Sequence, residues 1–444
     1  MPSTVSESVP SSNYLDKGDI KHSPVPTQNK ISEHDSEIPP TGKQKSKLLC
    51  FGRIFVKLKL EIVAFLFMFS YIMTRISSTS MILDKVCLVH FNYSPEICNN
   101  LENHTEIKIS VERLSTNYQL GHTLIQTVPA VLLACFVGPW SDQYGRKFPA
   151  IIAILGMTAG TLGSAVCAYY MESRVEYYFI PAIFTGAFGG VVCLLAFFYS
   201  YASDVTPLIE RTMKYAFIEM ATGLSQPLGA AAGGWIYNFF GYPTVFLAST
   251  CGLVFSLIWI TFMLPETRGE NNKDPLKIKI RKLFTCKTFK ESFIATTKKR
   301  PNQGRKQMLL LIISMCFLVI ATNSTSDINY LYAHHQFSWG PTKYSTITAV
   351  YSIITIFVLI LVVPAMKYFR TGDPTLGLVG TTSTLLKYIG IGVSWKPAIF
   401  HIANILGPLS PCATLAIRSR ISKVVSSDDL GKLLLFSTIL IMIT

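Results

Sequence analysis

Charged side chains are scarce in this sequence. Aspartate, glutamate, lysine and arginine together make up 15% of its 444 residues, whereas a soluble domain carries about 25%. Hydrophobic residues make up 50% of the chain, and its mean hydropathy is +0.37. So little charge excludes an ordinary soluble globular protein and is typical of a chain embedded in a lipid bilayer.

Several chemical signatures are also missing. The sequence contains no phosphate-binding loop, no nucleophile with a base at a fixed spacing, and no His or Cys cluster with the spacing of a metal site. We therefore expect neither an enzyme nor a bound metal or cofactor. The N-terminal residues lack the apolar core of a signal peptide and are rich in Ser, Pro and charge. Residues 1–54 are predicted to be a disordered cytosolic arm.

Long apolar runs dominate the rest of the chain. Ten of them have the length, about 20 residues, that crosses a bilayer as an α-helix. They cover Glu61–Leu83, Gln119–Val137, Phe148–Tyr170, Tyr177–Tyr201, Met213–Tyr237, Pro243–Leu264, Met308–Tyr332, Tyr344–Met366, Thr375–Val393 and Pro397–Ile417. An eleventh run opens at Leu433 and stops at Thr444, and its helix would reach only about 18 Å. We therefore predict an all-helical membrane protein that is truncated within its eleventh span.

The chain divides by composition into four parts. After the arm, residues 55–264 hold six predicted spans and form an N-terminal transmembrane half. Residues 265–307 form a basic loop, and residues 308–444 form an incomplete C-terminal half. The net charge is +14, and the basic excess lies in the arm and the basic loop, which the positive-inside rule places in the cytosol. This placement indicates a bilayer protein with a cytosolic N-terminus and argues against nucleic-acid binding.

The loop after the first span is acidic from Asp84 to Asn117, so we expect it on the opposite, oxidising side of the membrane. Two N-x-[ST] sequons, at Asn92 and Asn103, predict glycosylation there. Cys87 and Cys98 are the only two of the ten cysteines that lie in an outer loop. They predict a local disulfide, because that side of the membrane allows oxidation.

A charged turn links the second and third spans. Gly138 to Lys147 reads GPWSDQYGRK, and so short a link forces the two spans into an antiparallel pair. Asp142, Arg146 and Lys147 are then crowded at the membrane face. Charges so close to hydrocarbon are costly unless they pair with one another or with a helix end. Composition alone would also fit an ordinary polar loop that obeys the positive-inside rule.

Glu219 lies inside the fifth span, about 12 Å from Arg211 at the helical rise. A carboxylate at that depth faces a bundle interior or a wet cavity, and desolvation there favours its protonated form. Thr222 and Gln226 extend the same polar stripe. We expect Glu219 to accept a coupling proton. The alternative is a static partner for a neighbouring base.

Two cations also lie within spans, Lys387 in the middle of the ninth and Arg418 near the inner end of the tenth. Cations inside a helical bundle attract anions, so they predict an anionic organic substrate. Lys387 could instead reach the membrane surface or pair with an acid. Asp327, towards the outer end of the seventh span, completes the predicted substrate-binding set and could pair with Arg75 in the first span.

Several blocks resemble a known family. G-x-W-S-D-x-x-G-R-K is similar to the signature of the major facilitator superfamily between its second and third helices. Within that superfamily the chain resembles the proton-coupled folate transporter family of solute carriers, from about Phe55 onwards. The matching blocks are GPWSDQYGRK, YASDV at Tyr201–Val205, AFIEMATG at Ala216–Gly223, PETRG at Pro265–Gly269, SDI at Ser326–Ile328 and IRSRISKVV at Ile417–Val425.

The resemblance implies two six-helix halves and a symporter in the plasma or lysosomal membrane, with the proton as coupling ion. It assigns proton coupling to Asp204 and Glu219 and a substrate contact to Arg418. It also implies a gating motif in which Asp142 meets the start of the eleventh span; the motif residues are Gly138, Asp142, Gly145, Arg146 and Lys147. Thr322 stands where folate-transporting members have a histidine implicated in proton coupling, and Ser338 where they have a cysteine that links the halves.

The function predicted from these features is proton-coupled symport of an organic anion, folate-like or another conjugated metabolite. The alternative is a truncated fragment that does not transport and acts through partner binding. Neither the oligomeric state nor the choice between plasma membrane and lysosome follows from the sequence.

Overall fold

A computed structural model describes residues 58–208, 210–269, 303–337, 341–368 and 372–424, with single positions at 275, 283 and 339. Every regular element in this part of the chain is a helix. The predicted arm, most of the basic loop and the eleventh span lie outside the described residues.

The first half begins with α1, Lys59–Lys85, which continues into a π-helical turn at Val86–His90. Short helices at Pro95–Asn99 and Leu101–Asn103 lead to α2, Thr105–Tyr144, and the charged turn leads to α3, Lys147–Tyr169. α2 begins fourteen residues before the predicted span at Gln119. Most of the added residues are polar. A helix outside hydrocarbon needs only its internal hydrogen bonds, so the length of the apolar run underestimates the length of the helix.

Glycines break the next spans. A short 3₁₀ turn at Val175–Tyr178 leads into the fourth span, which forms α4, Phe179–Ala187, and α5, Gly190–Val205. Between them Gly189 takes φ +95°, where an added Cβ would lie 2.6 Å from the Cys193 sulfur. The fifth and sixth spans run together as α6, Arg211–Met263, with a kink at Gly241, where φ is +75°. Only glycine takes these backbone angles without strain.

The second half contains α7, Gly304–Phe337, α8, Pro341–Tyr368, and α9, Asp373–Gly392. The tenth span is interrupted: α10, Pro397–Leu406, is followed by a turn and then by α11, Pro411–Val424. The interruption falls on Gly407 and Pro408, and proline cannot continue the hydrogen-bond ladder of the preceding turn.

Eight helical stretches in the described chain are long and apolar enough to cross a bilayer. One of them is the whole of α6, whose 53 residues correspond to about 80 Å and therefore to two crossings joined at Gly241. The all-helical architecture predicted from the sequence is confirmed for this part of the chain.

The first half is held together by close contact between α1 and α6. A Cβ added at Gly229 would lie 2.9 Å from the Phe69 carbonyl oxygen, and one added at Gly233 would lie 3.4 Å from the Met73 Cα. The small residues let the two backbones approach, as van der Waals packing in a bilayer requires. Ser249 adds a hydrogen bond of 2.7 Å to the Ser70 carbonyl.

The bundle has two distinguishable ends. The motif end carries the Gly145 turn together with the first residues of α1, α6 and α9. The disulfide end carries the disulfide between Cys87 and Cys98, which are 11 positions apart in the chain. Lys85 is buried at that end, where its ammonium donates hydrogen bonds of 3.0 and 3.2 Å to the carbonyls of Tyr170 and Met171 just beyond α3.

Candidate functional site

Glu219 and Arg418 form an ion pair that joins the two halves of the bundle. Glu219 lies on α6 and Arg418 on α11, 199 positions later in the chain. Their side chains are 19% and 18% exposed, so both charges are largely withdrawn from solvent. A buried charge is tolerated when a partner of opposite sign compensates it. The carboxylate predicted to accept a proton and the cation predicted to meet an anion therefore satisfy each other in this conformation.

Tyr199 on α5 completes this site. Its hydroxyl donates a 2.9 Å hydrogen bond to Glu219 Oε1 and accepts one of 2.5 Å from Arg418 Nη1. The guanidinium carbon lies 4.2 Å from the centre of the Tyr199 ring, a cation–π distance. Tyr199 itself is buried and packs edge-on against Tyr215, with ring centres 5.6 Å apart. The three side chains therefore form one connected polar triad, Tyr199–Glu219–Arg418.

Sequence reasoning missed Tyr199. The only available signal is the run Tyr199-Ser200-Tyr201 inside an otherwise apolar span, just before the YASDV block. A tyrosine in a span is usually an amphipathic packing residue, so the run does not predict a partner. Its position beside Glu219 depends on how α5 packs against α6.

A second polar network surrounds the charged turn at the motif end. Arg146 pairs with Asp142 on α2, and its Nε lies 3.0 Å from Asp204 Oδ2 on α5. Arg268, in the segment after α6, reaches the other oxygen of Asp204 at 3.1 Å. Arg146 and Asp204 are nearly inaccessible to solvent, and their charges are compensated within the network. The network ties the second, fourth and sixth spans together at this end.

Glu266 caps the start of α3. Its carboxylate accepts hydrogen bonds from the backbone N–H groups of Arg146 at 2.7 Å and Lys147 at 3.1 Å. Those amides are the positive end of the α3 dipole, where a carboxylate is stabilising. Gly145 takes φ +119°, and a Cβ there would lie 2.8 Å from Glu266 Oε2. The glycine of the signature is therefore needed both for its backbone angle and for the approach of Glu266.

The two halves also meet through hydrogen bonds at the motif end. Arg211 Nη1 donates to the Ser422 carbonyl at 2.6 Å, and the Lys423 ammonium donates to the Thr212 hydroxyl at 3.0 Å. Lys423 also pairs with Asp373 at 2.7 Å. These bonds connect the start of α6 with the end of α11 and the start of α9. They join the two halves at the motif end.

Two further residues of the predicted substrate-binding set, Lys387 and Asp327, lie on α9 and α7. The stem of Lys387 packs on Gly407 at the break between α10 and α11, where an added Cβ would lie 2.5 Å from its Cδ. Asp327 lies within α7, but its side chain is outside the described residues. So are Ser338 and the eleventh span that Asp142 is predicted to meet. The roles assigned to Asp204, Asp142 and Lys387 stay predictions.

Asn92 and Asn103, the predicted glycosylation sites, are both exposed at the disulfide end. Glycosylation of these two residues stays a prediction. The Cys87–Cys98 disulfide joins the π-helical turn Val86–His90 to the short helix Pro95–Asn99. It is therefore local to one half of the bundle.

Comparison with known proteins places this arrangement in a family. The family model of the Major Facilitator Superfamily matches residues 62–427. The rat proton-coupled folate transporter is 21% identical over 339 residues, which are 76% of this chain and 72% of that protein. The bovine lysosomal proton-coupled steroid conjugate and bile acid symporter SLC46A3 is 24% identical over 327 residues, 72% of this chain and 69% of that protein.

A solved structure shows the same fold. The human organic anion transporter MFSD10 (TETRAN) superposes with a TM-score of 0.61 at 14% identity, over 86% of this chain and 90% of that one. The residues that the family model matches include the signature turn, both members of the Glu219–Arg418 pair and most of both halves. The chain belongs to the major facilitator superfamily of membrane transporters.

Proposed function

We propose that this chain is a secondary active transporter that moves an organic anion by proton symport. The observation that carries the proposal is the Glu219–Arg418 ion pair, which joins the halves inside the bundle. In this fold, transport alternates by rocking one half against the other around a site between them. A titratable contact across that boundary is the place where proton binding can bias the two conformations.

The proton would act by neutralising Glu219. A protonated Glu219 no longer balances Arg418, and the guanidinium would then need another anion as its partner. Tyr199 holds both groups and can keep its hydrogen bond to either as the pair separates. A substrate anion that replaces Glu219 on Arg418 would couple proton and substrate binding. This arrangement accounts for symport without a titratable residue at Thr322.

The substrate class and the location rest on the relatives and on the distribution of charge along the chain. The names of two relatives specify folate, steroid conjugates and bile acids as their substrates, all carried with protons. An organic anion is the class that these share. We place the motif end and the N-terminus in the cytosol because the basic residues concentrate there, and we place the chain in the plasma or lysosomal membrane.

Uptake by the purified chain in proteoliposomes tests the proposal. Radiolabelled taurocholate and folate are supplied at acidic and at neutral external pH, with and without a protonophore. We expect uptake of at least one anion to be faster at acidic pH and to fall when the protonophore is added. Glu219→Gln should remove this pH dependence, whereas Glu172→Gln, a matched change in an exposed loop, should retain it.

Two results would contradict the proposal. Uptake that is independent of the proton gradient would exclude symport. An unchanged pH dependence in Glu219→Gln would exclude Glu219 as the proton acceptor, and the pair would then be a static contact between the halves.

A further inference from the structure

Arg75 occupies the middle of a membrane-spanning helix. The continuous helix Lys59–His90 has 32 residues, and Arg75 lies about 24 Å from its start and about 22 Å from its end. The hydrocarbon core of a bilayer is about 30 Å thick, so this residue is close to the midplane. Yet Arg75 is exposed on the surface of the bundle, as is Thr79 one turn further along.

The exposed face of α1, which carries Arg75 and Thr79, points away from the sixth span. Ser70 and Thr74 contact the sixth span: the Thr74 and Ser249 hydroxyls are 2.6 Å apart, and Ser249 bonds to the Ser70 carbonyl. Arg75 and Thr79 lie about 100° or more around the helix from these residues. A guanidinium facing lipid at the midplane would cost several kcal/mol or more. The exposed face of α1 must therefore border water and not lipid, and in this fold the space between the two halves provides such an environment.

Arg75 is also uncompensated. It makes no ion pair or side-chain hydrogen bond among the residues that the structure describes. Arg418, by contrast, is held by Glu219 and Tyr199. Lys387 has its stem packed against Gly407 and is partly buried. Of these three cations at membrane depth, Arg75 is the one whose side chain is exposed.

The wall of α1 beside Arg75 is apolar. Phe65 and Phe69 are half-buried on the neighbouring side of the helix, with stacked rings 5.8 Å apart, and Ile76 is exposed. Phe69 lies about 9 Å along the axis from Arg75. A single cation next to an aromatic surface suits a molecule with one anionic group at the end of a rigid apolar ring system. It suits a polar dicarboxylate less well.

We propose that Arg75 docks the anionic group of an amphipathic, ring-containing organic anion while Arg418 is still paired with Glu219. The inference rests on the proposed transport function and narrows its substrate class. Arg75 would make the first contact, and release of Arg418 by protonation of Glu219 would follow.

Equilibrium binding to the purified chain in detergent tests this inference without requiring transport. The probes are taurocholate, its uncharged analogue methyl cholate, and folate. The Arg75→Met variant should bind taurocholate about 10- to 100-fold more weakly, the loss typical of a hydrogen bond to a charged group. Arg75→Lys should stay within a few-fold of the wild type. Arg174→Met, the same change at an exposed loop arginine, should leave the affinity unchanged.

The wild-type affinity for methyl cholate should be low and should not respond to Arg75→Met. Melting temperatures of the ligand-free variants check that each variant folds, and Arg75→Lys keeps the test valid if Arg75→Met does not. Equal taurocholate affinity in the wild type and Arg75→Met would overturn this inference alone. Loss of affinity in Lys387→Met but not in Arg75→Met would also overturn it. A wild type that binds folate but not taurocholate would refute the class of anions with one charged group on a rigid apolar ring system. One that binds neither would overturn this inference and the proposed substrate class together.

Discussion

The strength of the Glu219–Arg418 pair can be tested by removing its two charges separately and together. The variants are Arg418→Met, Glu219→Gln and the double variant. Both side chains are less than one-fifth exposed, so the pair resembles a buried ion pair more than a surface one. Removing one partner of a buried pair costs about 3–5 kcal/mol, because it leaves an uncompensated charge. A surface pair is worth only about 0.2–1 kcal/mol.

The Arg418→Met variant leaves the Glu219 carboxylate with the Tyr199 hydroxyl, which still donates its 2.9 Å hydrogen bond. This remaining bond offsets part of the loss, so we expect a destabilisation near the lower limit, about 3 kcal/mol. Replacing both charges by uncharged side chains of similar volume leaves nothing uncompensated. The double variant should therefore be close to the wild type in stability, so that the coupling energy between the two sites approaches the sum of the two single losses.

Thermal unfolding of the four purified proteins in detergent measures this effect. A chain of this size need not unfold in one step, so the comparison uses the order of the melting temperatures. Both single variants should melt below the wild type, and the double variant should melt above Arg418→Met. Additive losses, with the double variant the least stable, would refute the coupling.

Two further predictions concern packing and hydrogen bonding. Gly380→Ala should destabilise the chain by about 1–3 kcal/mol, because the new Cβ would lie 2.2 Å from the Ala413 backbone nitrogen and would push α9 away from α11. Gly234→Ala is the control, because a Cβ there meets nothing within 4 Å. Equal melting temperatures for the two variants would contradict the steric argument. Lys85→Met should lower the free energy of unfolding by about 1.5–3 kcal/mol, because the carbonyls beyond α3 lose a charged hydrogen-bond donor. A melting temperature equal to that of the wild type would show that water replaces the ammonium.

Several features of the fold could be predicted from the sequence. The spans follow from apolar length because a backbone inside hydrocarbon must satisfy its own hydrogen bonds, and a helix does so locally. The ends of the helices were predicted less accurately than the spans themselves. α2 extends to Thr105 through a mostly polar segment, because helix formation continues beyond the apolar run. The tenth span divides at Gly407, and such a local break does not change the mean hydropathy.

The candidate site was only partly predictable. Glu219 and Arg418 stand out as charges in apolar spans, and their depth alone indicates a function. That they pair with each other, and that Tyr199 holds both, could not be predicted, because the residues come from three helices and two halves. The prediction for the charged turn was similar: its charges were expected to pair, but the partners Asp204, Arg268 and Glu266 lie far along the chain.

The amino-acid sequence by itself determined that this chain crosses a membrane repeatedly as helices, and it determined which charges lie within the spans. Both properties depend on residues a few positions apart and on the cost of moving polar groups out of water. Only the tertiary structure decided that Arg418 is compensated by Glu219, while Arg75 is exposed and makes no ion pair with the residues that the structure describes. The direction in which each helix turns its charged face depends on packing against helices that are remote in the chain, and no local pattern encodes it.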